Sequence, residues 1–89
     1  DAIEIANPVI LVEILSPSNA LTDLRDKLAA YFTLPSVAHY LIVDPDKRLI
    51  LHHARATGGD IATRIVSTGA IRLDPPGLEI AVAEIFSAT

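Results

Sequence analysis

PVILVEIL, residues 8–15, is the stretch that decides the fold, because it is an apolar run with a single charge, Glu13, inside it. Its residues alternate between two faces, with Val9, Leu11, Glu13 and Leu15 on one and Ile10, Val12 and Ile14 on the other. This alternation predicts a central strand covered on both faces. An ionised carboxylate in such a strand is costly unless it is paired, hydrogen-bonded, bound to a metal or at the strand's open end. Glu13 therefore needs a partner.

The composition limits the class of protein. The chain has 89 residues, of which 51% are hydrophobic, so we expect residues 1–89 to form a single domain with one core. It has no cysteine, which excludes disulfides and thiolate metal sites. The net charge of −4 disfavours a broad basic surface for nucleic acid. A bound metal ion or a dimer can still create a local positive field.

Neither a membrane span nor a signal peptide is expected. No apolar stretch reaches the roughly 18 residues that a bilayer span requires. The N-terminus lacks a basic segment followed by an apolar one. We therefore expect a cytoplasmic protein with no membrane partner.

The rest of the chain predicts one helix and several further strands. The helix is expected over residues 20–33, where Leu24, Leu28, Tyr31 and Phe32 recur at helical spacing and Pro35 follows. Strands are expected at residues 38–43, 48–53, 61–67 and 71–73, and residues 80–86 read as a short strand or a helical turn. The first two strands should be parallel across the helix, and the next two should form a hairpin. The predicted fold class is α/β, a mixed sheet with one packed crossover helix.

Charged residues of the predicted helix can reach Glu13. At about 100° per residue, Lys27 lies about 60° from Leu24 and about 40° from Tyr31, so it borders the apolar stripe. Asp23 lies one turn earlier, in the acid-before-base order that favours a pair with Lys27. Glu13, Asp23 and Lys27 can therefore converge where the first strand ends and the helix begins, a usual place for a site in a crossover unit.

An ordered set of motifs runs through the chain from Asn7 onward. They are NPVILVEILSPSN at 7–19, Asp23-x-x-x-Lys27, Tyr31, LPSVAHYLIVDPD at 34–46 and GLEIAVAEIF at 77–86. Together they resemble the Uma-two-type restriction endonucleases, a branch of the PD-(D/E)xK nuclease superfamily. The resemblance implies the core of a restriction-endonuclease-like fold and a nuclease that uses Mg²⁺ or Mn²⁺ on nucleic acid, DNA or RNA.

By this resemblance, Glu13 is the acidic residue of the E-x-K half-motif, both a metal ligand and a catalytic residue. The lysine expected two positions later is replaced by Leu15. Its catalytic role then falls on Lys27 in the helix. Three further residues are expected beside the site in supporting positions: Ser16, Asp23 and Tyr31.

These residues also have purely structural interpretations. Glu13 can be a buried acid paired with Lys27, and Asp23 can form a surface pair with Lys27 worth roughly a few tenths of a kcal/mol. Ser16 can simply end the strand. Tyr31 is expected to pack its ring between helix and sheet, with its hydroxyl near the strand end.

Histidines and turn aspartates are not expected to bind metal. His39 is distant in sequence, and the adjacent His52 and His53 should point to opposite faces of a strand, so we expect structural or exposed histidines. Asp44 and Asp46 flank a proline in a turn, where aspartate accepts backbone hydrogen bonds.

One family motif is missing. Family members carry an earlier Pro-Asp motif whose aspartate is the first metal ligand, and nothing in residues 1–7 matches it; Asp1 lacks the proline and the strand that should follow. We therefore expect an N-terminally incomplete core that binds magnesium weakly and cuts DNA poorly or not at all.

The alternative is a non-enzymatic interaction module that pairs through an exposed sheet edge. The expected assembly is a homo-oligomer, a dimer.

Overall fold

The computed structural model describes residues 7–16 and 21–88 of the chain. Its elements in chain order are β1 (Ile10–Ile14), α1 (Leu21–Phe32), β2 (His39–Asp44), β3 (Leu49–Arg55), β4 (Ile61–Val66), β5 (Ala70–Leu73), β6 (Leu78–Ala81) and α2 (Val82–Ala88). A short 3₁₀ turn at Thr57–Gly59 joins β3 to β4. Among these residues no helix is long and apolar enough to cross a membrane.

A mixed four-stranded sheet, in the order β1-β2-β3-β4, organises the molecule. β1 and β2 are parallel across α1, whereas β2, β3 and β4 run antiparallel to their neighbours. The predicted α/β class, the parallel pairing of the first two strands and the hairpin between the next two are therefore confirmed. In the turn of that hairpin, Asp44 Oδ1 accepts hydrogen bonds from the backbone N–H groups of Asp46 and Lys47, as expected for a turn aspartate.

Helix α1 covers one face of the sheet because its apolar residues fall on one side. The cluster that it forms with β1, β2 and β3 contains Leu11, Leu15, Leu24, Leu28, Tyr31, Phe32, Val37, Tyr40, Ile42 and Leu51. All four helical positions that the spacing singled out belong to it. Arg55 fastens the end of the helix to β3, since its guanidinium donates to the carbonyl oxygens of Phe32, Leu34 and Val37.

The opposite face is covered by a second, two-stranded sheet of β5 and β6 together with α2. Their core residues are Leu41, Val43, Ile50, Ile71, Leu73, Val82 and Phe86. Residues 80–86, predicted as a strand or a helical turn, are divided between the two: β6 ends at Ala81 and α2 begins at Val82. The pairing of β5 with β6 was not predicted, because each strand has only four residues.

The prediction that β1 is a central strand covered on both faces is wrong for the described part of the chain. β1 lies at the edge of the four-stranded sheet, and Val12 and Ile14 are 59% and 53% exposed. Leu11 and Leu15, on the other face, pack against the α1 side. The alternation of residues along β1 indicates that both faces of the strand are apolar, but it does not show whether another element covers each face.

All three histidines are buried in the sheet. His39 Nδ1 and His52 Nε2 lie 2.9 Å apart on the α2 side, and His53 Nδ1 lies 2.8 Å from Thr63 Oγ1 on the α1 side. The adjacent His52 and His53 therefore point to opposite faces, as predicted. All three histidines were expected to be structural or exposed, and all three are buried. Burial lowers the pKa of both, and for His52 the nearby His39 and Arg64 lower the pKa further.

These histidines should make the protein less stable in mild acid. In the unfolded chain an imidazole binds a proton near pH about 6.5, whereas in the folded chain the lowered pKa values keep His52 and His53 neutral to lower pH. Their contribution is therefore complete above about pH 6.5 and is lost as the pH falls through the lowered pKa values. Urea unfolding measured from about pH 8 to about pH 5, where ordinary carboxyl groups stay ionised, should show a falling free energy of unfolding.

The control for this prediction is His52→Gln, which keeps a polar side chain but cannot titrate. It should reduce the dependence of the unfolding free energy on pH and leave the part that His53 contributes. An unchanged slope in His52→Gln would show that His52 is not the source of the acid sensitivity.

Candidate functional site

Glu13 lies on β1, on the face that α1 covers, and its side chain is 18% exposed. Leu11 and Leu15, which share this face, pack into the cluster under α1. In the parallel register, Glu13 lies opposite Ile42 of β2. The carboxylate is thus largely removed from water and must be stabilised by specific donors.

Within the part of the chain that the structure describes, two donors stabilise this carboxylate, one at each oxygen. Lys27 Nζ donates to Oε2 at 2.5 Å, and the Tyr40 hydroxyl donates to Oε1 at 3.2 Å. A charge-assisted hydrogen bond of the first kind is among the stronger polar contacts in proteins. An ionised carboxylate has about four lone-pair sites, so two such donors leave acceptor capacity for a further partner.

Lys27 occupies the position that helix geometry predicted, at the border between the apolar stripe of α1 and solvent, with a side chain that is 34% exposed. The structure therefore brings together Glu13 and Lys27, the two residues that the sequence singled out for catalysis. Their contact supports the structural and the catalytic interpretation alike, so the catalytic role stays a prediction.

Tyr40 is the site residue that the sequence analysis missed. It is fully buried, and its ring contacts Tyr31 edge-to-face with a centroid distance of 5.1 Å and stacks on His53 at 5.8 Å. Burial first, and then the charge of Glu13, raise the pKa of Tyr40 well above its ordinary value. The hydroxyl is therefore protonated at neutral pH and is a donor to Glu13.

The three predicted supporting residues have different outcomes. Tyr31 packs its ring between α1 and the sheet, as expected, and reaches the site through Tyr40. Ser16 is exposed and lies two residues beyond the end of β1. The backbone of Asp23 is part of α1, but its side chain lies outside the described residues, so its pairing with Lys27 stays a prediction.

The available ligands fit only part of a metal site. Among residues 7–16 and 21–88, no three His, Asp or Glu side chains are grouped so that they can hold a metal ion. Glu13 supplies one carboxylate on the α1 side of the sheet, whereas the His39–His52 pair lies on the α2 side. Magnesium is commonly held by one or two carboxylates together with water and phosphate oxygens, so Glu13 fits as a single ligand of a hydrated ion.

Comparison with known proteins places this chain in a family. The sequence profile of the Uma2 family, described as "putative restriction endonuclease", matches residues 3–83. The chain therefore belongs to the Uma2 family, and the resemblance inferred from its motifs is confirmed. No curated protein matches the chain at a significant level.

A solved structure supports the fold. The crystal structure of a "putative nuclease belonging to DUF820" from Anabaena variabilis is similar to this chain with a TM-score of 0.74 and 16% sequence identity. The match covers 93% of this chain and 46% of the other, so this chain spans less than half of that protein's length. At this level of identity the likeness establishes that the two chains share a fold, and it assigns no role to the site residues.

The Lys27–Glu13 contact should contribute measurably to stability. Lys27→Met removes the ammonium and leaves a partly buried carboxylate with fewer donors, which should lower the free energy of unfolding by about 1–2 kcal/mol. Adding Glu13→Gln should recover part of this loss, because the neutral amide is cheaper to bury. Urea unfolding of the single and double variants measures the coupling between the two residues.

Arg25→Met is the matched control, since Arg25 lies on the exposed side of the same helix. It should change the unfolding free energy by less than about 0.5 kcal/mol. Equal losses in Lys27→Met and Arg25→Met, with no coupling to Glu13, would contradict a stabilising ion pair.

Proposed function

We propose that this domain contributes the glutamate–lysine half of a metal-dependent nuclease site that hydrolyses phosphodiester bonds of nucleic acid. The observation that carries the proposal is the contact between Glu13 and Lys27 in a chain of the Uma2 family. An acidic strand residue beside a lysine supplies two of the groups that such chemistry requires, a ligand for the cation and a positive charge near the phosphate.

Each residue has a distinct role in this proposal. Glu13 would hold Mg²⁺ or Mn²⁺ through a carboxylate lone pair that Lys27 and Tyr40 leave available. A divalent cation in such sites polarises the phosphodiester and makes bound water more acidic. Lys27, partly exposed at the border of α1, would orient or activate the attacking water.

The same proposal predicts weak activity for these 89 residues. Only one carboxylate of a metal site is identified among the described residues, and a hydrated magnesium ion held by one carboxylate binds weakly. We therefore propose that this chain alone cuts DNA poorly or not at all.

A metal titration tests the site directly. If the dissociation constant for Mg²⁺ or Mn²⁺ is about 1 mM, about 10 mM metal should stabilise the fold by about 1.4 kcal/mol, seen as a higher melting temperature. Glu13→Gln should abolish this stabilisation, because a neutral amide is a poor ligand for a hard cation. Glu79→Gln, at an exposed glutamate of β6, is the matched control and should keep it.

The metal titration has two outcomes that contradict the proposal. No stabilisation of the wild type at millimolar metal would leave Glu13 with a structural role only. Stabilisation that persists in Glu13→Gln would place the metal elsewhere. In a plasmid assay with Mn²⁺, rapid cleavage by the 89-residue chain that Glu13→Ala abolishes would refute the predicted weak activity while supporting the site.

Assembly is part of the proposal as well. β1 lies at an edge of the four-stranded sheet in the described part of the chain, and Val12 and Ile14 expose apolar surface beside it. Such an edge favours pairing with another strand. The family match favours a nuclease domain over a purely structural module. We therefore propose a cytoplasmic nuclease-family domain, and the exposed edge at β1 supports the proposal that it forms a homodimer.

Light scattering tests the proposed dimer. The wild type should have the mass of two chains, and Val12→Lys should reduce it to the mass of one by placing a charge on the paired edge. Ile65→Lys, at an exposed position of β4, is the control and should leave the dimer intact. A monomeric wild type would contradict the proposal.

A further inference from the structure

The Tyr40 hydroxyl is the second donor to Glu13, and its position is set by the sheet rather than by a flexible loop. Tyr40 lies on β2, opposite Leu11 of β1, and its hydroxyl oxygen is 3.2 Å from Glu13 Oε1. This distance is slightly longer than the usual range of about 2.5–3.0 Å for an O–H···O bond, and hydrogen bonds in catalytic sites are often long before the reactants bind.

Neighbouring side chains hold the ring of Tyr40 in place. Tyr31 from α1 contacts it edge-to-face, with an interplanar angle of 84°, and His53 from β3 stacks against it at 29°. His53 is held in turn by Thr63 of β4, whose Oγ1 lies 2.8 Å from its Nδ1. A chain of contacts across all four strands of the main sheet therefore determines where the Tyr40 hydroxyl lies.

We propose that Tyr40 is a positioning residue for Glu13 as a metal ligand, an inference that rests on the function proposed above. With Tyr40 on Oε1 and Lys27 on Oε2, the carboxylate is held from both sides and keeps one orientation. A glutamate side chain otherwise loses considerable rotamer freedom when it binds an ion, and holding it beforehand removes part of that cost. Groups that orient a metal ligand in this way typically change metal affinity by about 10- to 100-fold when removed.

Tyr40→Phe isolates this role, because it keeps the ring and its contacts with Tyr31 and His53 but removes the hydroxyl. Isothermal titration calorimetry with Mn²⁺ should show binding weaker by about 10-fold or more than in the wild type. The matched control is Ser36→Ala, which also removes a partly buried hydroxyl, the one that donates to the Pro8 carbonyl oxygen at 2.8 Å. It should lower stability without changing the affinity for Mn²⁺.

A spectroscopic measurement detects the hydrogen bond without requiring Tyr40→Phe to fold. The chain contains two tyrosines and no tryptophan, so in a Tyr31→Phe background the near-ultraviolet absorption comes from Tyr40 alone apart from the weak phenylalanine bands. Its absorption maximum responds to hydrogen bonding of the hydroxyl. Both Glu13→Gln and addition of Mn²⁺ should shift that maximum, whereas a tyrosine hydroxyl that makes no contact with the metal-binding carboxylate would not respond to the metal.

The outcomes separate this inference from the function on which it rests. Wild-type affinity in Tyr40→Phe, together with an absorption maximum indifferent to Mn²⁺, would overturn the positioning role while leaving Glu13 as a ligand. Failure of the wild type to bind Mn²⁺ would overturn the proposed function, and the metal role of Tyr40 with it. Weakened binding in Tyr40→Phe, unchanged binding in Ser36→Ala and a metal-dependent shift together support the inference.

Discussion

The partly buried carboxylate of Glu13 is the constraint on which this structure depends. It lies between two leucines that pack under α1, so its burial is tolerable only if donors reach it from neighbouring elements. Lys27 from α1 and Tyr40 from β2 do so, one at each oxygen. The carboxylate thereby joins the first strand, the crossover helix and the second strand, and it couples the packing of the core to the geometry of the candidate site.

The stabilising role and the proposed catalytic role of this carboxylate are compatible. A metal ligand must be held in a defined orientation, and the donors that make burial of Glu13 tolerable also restrict its movement. Arg55 also ties the end of α1, the helix that carries Lys27, to β3. Membership of the Uma2 family, described as "putative restriction endonuclease", is the reason for proposing a nuclease role for this arrangement.

Much of the fold followed from local patterns. The helix observed at Leu21–Phe32 is close to the predicted 20–33, and the strands before and after it pair as expected, because helical spacing and turn residues are local signals. The exposed face of β1 and the pairing of β5 with β6 were not predictable in this way. They depend on which elements meet after the chain has folded, and short strands carry too little pattern to reveal it. The burial of all three histidines has the same cause, since His39 and His52 meet only through the strand register.

By itself the sequence determined the α/β class, the family and the pair Glu13 and Lys27, since an isolated charge in an apolar strand and a lysine at the border of a helical stripe are both visible in the order of residues. Only the tertiary structure decided that Tyr40 joins Lys27 as a donor to the Glu13 carboxylate. Alternation along β2 places Tyr40 on one face or the other, but the parallel register between β1 and β2 is what brings its hydroxyl to Glu13. The hydrophobic pattern of each strand determines which face it buries, but which residues lie opposite one another depends on how β1 and β2 pair across the helix.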